Sequence, residues 1–464
     1  MTSQSSEQSE AKHWRKSEAA MARHPKERPA RQGTMTRREV LKRSAAASLA
    51  LPSAAALLEA CAKPGTTTTS SGAHASGPGV GRYWPAGSPY PLARQDTPVT
   101  WKLWREPIKS GLAPEKGATL QIYNWADYIW TKVVKQFCAA YNCSYQITTF
   151  NNMDEGLAKM RTGQLQFDVF FPTPDVLGKL ITGKLLQPLN HSYIPHLVSD
   201  AWETYQNPFY DQGWHYTVPY AVYTTGIGYR RDLIPDEQIR GMSNPYEILW
   251  DTKYKGKIGI YDDYREALSM GLLKNGITDL NTGNPKYINE AQRTLTSLIN
   301  AVNVRTSING AYLGIPKGTF DIHQAWSGDM VAAWQYTPTQ NMKTWQTLGY
   351  WFPSNRKGAV FNDTITIPAN AQNPVLAHHF LDWMMTYKNA MLNFSWNGYQ
   401  PPQRKADPTT LTTTKSYYGE PYVFPWMADA VVFEKDFHVG YFEEELTPQV
   451  DQLWHNAWQA FNSA

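Results

Sequence analysis

The chain has 464 residues, 42% hydrophobic and 18% charged. This is enough apolar material for two or three domains with real cores, and the charge content is low for a disordered chain. No apolar run reaches the ~20 residues of a membrane-spanning helix. The net charge of +4 is local. Residues 1–61 carry 11 of the 44 Lys and Arg and 6 of the 40 Asp and Glu, so the remainder is near neutral, which argues against a nucleic-acid partner. The 18 Trp and 27 Tyr supply flat amphipathic surface suited to a sugar or an organic cation.

Residues 1–34 are polar and aperiodic and are predicted to be a disordered extension, with Met35 as an alternative start. Residues 35–61 have the pattern of an export signal. Thr36-Arg37-Arg38-Glu39-Val40-Leu41-Lys42 resembles a twin-arginine motif, and Ser44–Leu58 is an uncharged Ala- and Leu-rich stretch of signal length. Leu58-Glu59-Ala60-Cys61 resembles a bacterial lipobox, although Glu59 departs from its usual small or apolar residue. The expectation is an exported protein, periplasmic or at the cell surface, held to the membrane by a lipid on Cys61. Residues 62–116 are expected to be a linker and extended segment. It is Thr-, Ser- and Gly-rich over Thr66–Gly79, and its later Trp-containing part is expected to lie along the folded body.

Short strands and helices then alternate. Thr119–Tyr123 is an apolar strand, and Ile129, Val133, Val134, Phe137 and Tyr141 recur at helical spacing. Tyr145–Phe150 is strand-like. Asn151 is predicted to open a helix with Asp154 as capping partner. Asp168–Phe171 is a buried strand ending at Pro172, followed by a helix at Val176–Ile181. This order predicts a largely parallel sheet, with ligands beyond the carboxyl ends of its strands. Further on, Thr224–Tyr229, Lys257–Tyr261, Asp329–Trp334 and Asp363–Pro368 are predicted strands. Glu266–Lys274, Ile288–Leu298, Pro374–Tyr387 and Gln449–Phe461 are predicted helices. Cys138 and Cys143 can form a disulfide only if the helix ends between them, for which Asn142 is suited; otherwise they are two buried thiols.

No hydrolase, metalloprotease, phosphate-loop or dinucleotide motif is present, and the eleven His show no metal-ligand spacing. The adjacent His378 and His379 point to different sides of a helix. No cofactor or metal is expected, and weight moves from enzyme to binding protein.

Five segments in register carry a resemblance. They are Leu120-Gln121-Ile122-Tyr123-Asn124-Trp125-Ala126-Asp127-Tyr128, Val218-Pro219-Tyr220 with Ile227-Gly228-Tyr229, Asp262-Asp263-Tyr264-Arg265-Glu266, Asp363-Thr364-Ile365-Thr366-Ile367-Pro368, and Gly398-Tyr399-Gln400-Pro401-Pro402. From about residue 118 to 460 the chain resembles the spermidine/putrescine-binding proteins of bacterial ABC transporters. The resemblance implies an α/β, two-lobed periplasmic-binding-protein-like (type II) fold with hinge segments between lobes. Residues 117–219 plus 361–408 would form one lobe, and 220–360 plus 409–464 the other.

The same resemblance implies the site. Trp125 and Tyr128 match an aromatic pair, and Asp127 an acidic position between them. Asp263 and Glu266 match two acidic contacts, although Asp-x-x-Glu before a helix is also a capping pattern. Trp334 matches a cleft ring, Asp363 a carboxylate two residues after an aromatic position held here by Phe361, and Tyr399 a phenol. Asp436 falls loosely at a glutamine position. Thr173 and Asp175 replace a Ser and a Tyr; Asp175 is either a surface acid at a helix start or an extra ammonium partner. The implied ligand is a polyamine. Its ammonium groups need carboxylates, because burying one without a partner costs several kcal/mol, and its cationic chain suits aromatic faces. The implied partners are ABC permease subunits, with the binding protein a monomer. The alternatives are another organic cation, a sugar, or a secreted carbohydrate-active enzyme using Asp263 and Asp363 as an acid pair. Four or more acids in one cleft favour the cation.

Overall fold

The computed structural model describes residues 88–163 and 165–464. The predicted extension, the signal, Cys61 and the first part of the linker lie outside the described residues. Among those described, no helix is long and apolar enough to cross a membrane.

The first sheet is small and parallel. Thr119–Trp125 (β1) lies between Ser144–Phe150 (β2) and Val169–Phe170 (β3), in the order β2-β1-β3. The connection from β1 to β2 is Thr131–Tyr141 (α1), which buries Val133, Val134, Phe137 and Cys138 along one face. Asn142 ends α1 in the left-handed conformation, φ 52°, as the Cys spacing requires of any bridge. Cys138 and Cys143 themselves stand as free thiols, hydrogen-bonded to each other.

The next helix, Met153–Thr162 (α2), begins one residue later than the sequence pattern predicts. Asn152 is the cap. Its side chain accepts from the Glu155 amide at 2.9 Å, and the Glu155 carboxylate accepts from the Asn151 amide at 3.1 Å. The cap therefore resembles a capping box, except that the Glu155 carboxylate satisfies the amide of Asn151, one residue before the cap Asn152. After β3, Thr173 precedes a short turn opened by Pro174 but gives no side-chain cap, and Leu177–Thr182 (α3) follows.

The second sheet is mixed and has six strands. Val218–Arg230 (β4) is its longest. Ile258–Ile260 (β5), Arg305–Thr306 (β6), Ile322–Trp326 (β7) and Leu348–Trp351 (β8) complete the order β6-β5-β7-β4-β8. Ala359–Ile365 (β9) pairs antiparallel with the first half of β4, and β7 and β8 pair with its second half. Tyr264–Lys274 (α4) and Pro285–Val302 (α5) pack together on this sheet's core.

The predicted strand Asp329–Trp334 is a helix. Ser327–Ala332 (α6) is buried at every position and runs into a tight turn over Ala333–Tyr336. A helix with no solvent face shows no 3.6-residue period, so its short apolar run passes for a strand. The real strand, β7, ends at Trp326. The predicted helix from Pro374 to Tyr387 is interrupted: Pro374–Met385 (α7) stops at the extended residue Thr386, and Tyr387–Asn397 (α8) starts afresh. Pro448–Asn462 (α9) closes the chain, burying Val450, Trp454, Ala457 and Phe461.

The apolar residues form two cores. The first gathers β1, β3 and the start of β4, with α7 and residues 423–442. The second gathers the end of β4, β5, α4, α5 and α9. β4 passes from one to the other, so the fold has two lobes sharing this strand. Residues 88–116 run along the body as a strap. The Trp101 indole donates to Tyr210 O at 2.7 Å, that of Trp104 to Leu186 O at 2.8 Å, and the Gln95 amide to Glu444 at 2.8 Å.

Candidate functional site

Two adjoining chambers of about 740 and 640 Å³, both open to solvent, lie where the sheets face each other. Trp125, Tyr223 and Trp326 line both. Trp125 stands at the carboxyl end of β1, Tyr223 on β4 and Trp326 at the end of β7. Trp125 and Trp326 meet edge-on with centroids 6.3 Å apart, and Tyr223 and Trp326 at 6.1 Å. One face of Trp326 is stacked on Tyr261 at 4.0 Å.

The first chamber is built around two carboxylates, each gripped by two phenols. Tyr128 donates to Asp363 Oδ2 at 2.7 Å and Tyr223 to Oδ1 at 3.2 Å. Tyr399 donates to Asp329 Oδ1 at 2.7 Å and Tyr261 to Oδ2 at 2.8 Å. The Tyr128 and Tyr399 rings meet edge-on at 4.7 Å and join the two clamps. Charge-neutral donors hold these acids in place without neutralising them. Burial raises both carboxyls to about 7, against the pull of the phenols. Asp127 supplies a third acid. It takes a left-handed φ of 52°, which Asp tolerates better than most residues, and accepts from Tyr312 at 3.2 Å across the mouth.

The second chamber holds Asp154, Asp175, Asp263, Glu266 and Glu443, with Thr173 and Phe361. Asp263 caps α4, accepting from the Arg265 and Glu266 amides at 2.9 and 3.2 Å, while also lining the chamber. Capping the helix and lining the chamber are therefore compatible at one residue. Burial raises Asp263 to about 6. Glu266 accepts from the Trp326 indole at 2.5 Å and from Thr225 at 3.2 Å. Burial, and after it the Glu443 charge, push it well above the usual carboxylate range. Glu443 accepts from Ser269 at 2.7 Å and is raised to about 7 by burial, with Arg265 pulling it down.

The structure thus brings Trp125, Asp127, Tyr128, Asp363 and Tyr399 to the first chamber and Thr173, Asp175, Asp263, Glu266 and Phe361 to the second. Trp334 lines neither. Its ring packs against Trp345 at 5.0 Å and Tyr418 at 5.3 Å, because the turn after α6 carries it away, and Trp326 stands in the cleft instead. Asp436 is also absent from the cleft. It is fully buried and paired with Arg356. Sequence reasoning missed Tyr223, Trp326, Asp329, Asp154 and Glu443. Trp326-Ser327-Gly328-Asp329 would have been found by ending the strand at Trp326. The three consecutive acids Glu443-Glu444-Glu445 were the available sign of the last.

Close approach at Gly328 sets the second clamp. A Cβ there would lie 2.5 Å from Tyr399 ring carbons, well inside contact distance. Gly328→Ala is expected to displace Tyr399 from Asp329 and weaken ligand binding by at least ~10-fold, while overpacking costs about 1–3 kcal/mol of stability. Titration calorimetry and thermal melting check this; unchanged affinity would show that the Tyr399–Asp329 contact is dispensable.

Residues 132–416 match the family described as bacterial extracellular solute-binding protein. The spermidine/putrescine-binding periplasmic protein 1 of Haemophilus influenzae is 27% identical over 306 residues, covering 65% of this chain and 80% of that protein. Among solved structures, the spermidine/putrescine ABC transporter substrate-binding protein PotD of Streptococcus pneumoniae superposes with a TM-score of 0.57 at 22% identity, covering 75% of this chain and 99% of that one. The TpPotD lipoprotein of Treponema pallidum gives 0.61 at 20% identity, covering 74% and 99%. These likenesses establish the two-lobed periplasmic-binding fold, and the match over 132–416 establishes the family. The chain is a member of the bacterial extracellular solute-binding proteins.

Proposed function

We propose that this protein is the substrate-binding component of an ABC transporter, capturing a polyamine of the spermidine or putrescine class outside the membrane and delivering it to permease subunits. The observation that carries the reading is the cleft itself. Eight carboxylates line its two chambers, and aromatic rings stand between them. So many acids favour a cation over a sugar, because a neutral ligand would leave buried negative charge unpaired. Ammonium groups replace the missing counter-charge, and ring faces contribute about 0.5–2 kcal/mol each. Asp263 and Asp363 line different chambers, which disfavours their use as a glycosidase acid pair. Relatives named for spermidine and putrescine support the same reading. Ligand would stabilise the approach of the two lobes that the Tyr312–Asp127 hydrogen bond already spans at the mouth. The protein works as a monomer, exported by its N-terminal signal and anchored by lipid on Cys61.

Titration calorimetry of the full chain with spermidine, putrescine and a panel of neutral sugars tests the function. Saturable heat is expected with amines alone. Heat from a sugar and none from either amine would overturn it.

A further inference from the structure

The end of α1 sets two thiols side by side. Asn142 turns the chain out of the helix, and the amides of Asn142 and Cys143 both donate to Cys138 O, the latter at 3.0 Å. A left-handed exit of this kind brings the side chain of the second residue beyond the helix against that of the residue whose carbonyl it meets. Here both residues are cysteine, and their thiols are in contact. The chain on either side of Cys143 is fixed by the small parallel sheet. The Gly117 amide donates to Asn142 O and the Ser144 amide to Ala118 O, each at 2.8 Å. The two thiols differ in access: Cys138 is buried and Cys143 is partly exposed. Burial pushes the Cys138 thiol up to about 12. Burial also raises Cys143, and the contact with Cys138 pulls it back down. Neither residue lines the cleft.

We propose that Cys138 and Cys143 are a redox site that closes to an intramolecular disulfide by exchange with an external disulfide, stapling the end of α1 to the start of β2. Cys143 reacts first, because solvent reaches it. Its thiolate attacks one sulfur of the donor R–S–S–R, that bond breaks, and one thiolate leaves. The Cys138 thiolate then attacks the Cys143 sulfur of the mixed disulfide and expels the second. The two protons given up by the cysteines end on the two leaving thiolates. The pair is thereby oxidised by two electrons and the donor is reduced to two thiols. Donors of this class are met outside the cytoplasm. The exchange itself needs only the folded chain and a disulfide, so it stands apart from the polyamine reading.

Incubation of the purified full-length protein with excess oxidised glutathione, followed by iodoacetamide in denaturant and tryptic digestion, tests this. Both cysteines fall in one peptide, residues 136–159, and Cys61 falls in another. The expected product is this peptide lighter by two hydrogen atoms and free of alkyl groups, with both alkyl groups restored by prior reduction. Cys138→Ser should trap the mixed disulfide on Cys143, whereas Cys143→Ser should leave Cys138 reacting at least ~10-fold more slowly. Thermal melting confirms that each variant folds. The wild-type disulfide form should melt about 2–5 °C above the reduced form, because the bond restricts the unfolded chain. Two alkylated cysteines after oxidation, or a glutathione adduct that persists on wild-type Cys143, would overturn the site, whatever ligand the protein binds. A bond that forms without raising the melting temperature would overturn the staple.

Discussion

Asp363→Asn is expected to abolish measurable amine binding and, at the same time, to raise the melting temperature of the protein without amine at pH 8. In the proposed function the carboxylate is one of the buried counter-charges of the first chamber. Truncating one partner of a buried charge pair costs about 2–5 kcal/mol, or roughly 30-fold to several thousandfold in affinity. The stability gain follows from the same burial. The folded carboxyl sits at about 7, above its ordinary 3.8. It therefore favours the fold while protonated, and that contribution is lost as pH rises through about 7. Near pH 8 the ionised acid costs on the order of 4 kcal/mol relative to a group with no shift. Asparagine keeps a carbonyl acceptor for one phenol and cannot ionise. Calorimetry and melting curves at pH 4 and pH 8 check both halves: wild type and variant should converge at pH 4 and separate at pH 8. A variant that still binds spermidine normally would remove Asp363 from the site.

The second large effect is on pH dependence of the wild type. Asp363, Asp329 and Glu443 stand at about 7 and Asp263 at about 6. All are raised, so each contributes stability below its unfolded value near 4 that is lost as pH rises through 6–7. Without amine the melting temperature should fall over this window. Amine affinity should rise over it, because an ammonium group binds the ionised form, and each proton released contributes up to tenfold per pH unit below its folded pKa. An increase of ~100-fold or more between pH 5 and 8 is expected. Calorimetry in two buffers of different ionisation enthalpy should show protons leaving on binding at pH 6. Affinity independent of pH, with no proton release, would mean that these acids do not meet the ligand.

What could be read from the residues followed how strongly local pattern constrains position. β1 and the turn after it carry Trp125, Asp127 and Tyr128 to the cleft because a parallel strand delivers its carboxyl end there. Asp363 lies within β9, Ala359–Ile365, whose polar Asn362-Asp363-Thr364 stretch led the sequence pattern to start the strand four residues late, at Asp363 itself. Trp334 was misplaced because no local pattern marks its segment. α6 is short and wholly buried, so its residues carry no periodic signal; the strand was placed over it, ending eight residues past the true end of β7 at Trp326, and the resemblance was matched to Trp334. Glu443 was invisible because acids in a run ordinarily mark solvated chain. Here all three, Glu443, Glu444 and Glu445, are buried, and only long-range partners such as Ser269 explain them. The Asn152–Glu155 cap was missed by one residue, within the ordinary uncertainty of helix ends.

The strap has a bearing on how the chain reaches its final form during synthesis. Gln95 leaves the ribosome early, yet its partner Glu444 lies 349 residues further along. At ~5–20 residues per second the interval between them is about 20–70 s. Arg105 likewise waits for Ala369. Seating of this segment is therefore among the last events, after nearly the whole polypeptide has been released, and a truncated nascent chain would carry Trp101 and Trp104 without some of the strap's most distant anchors.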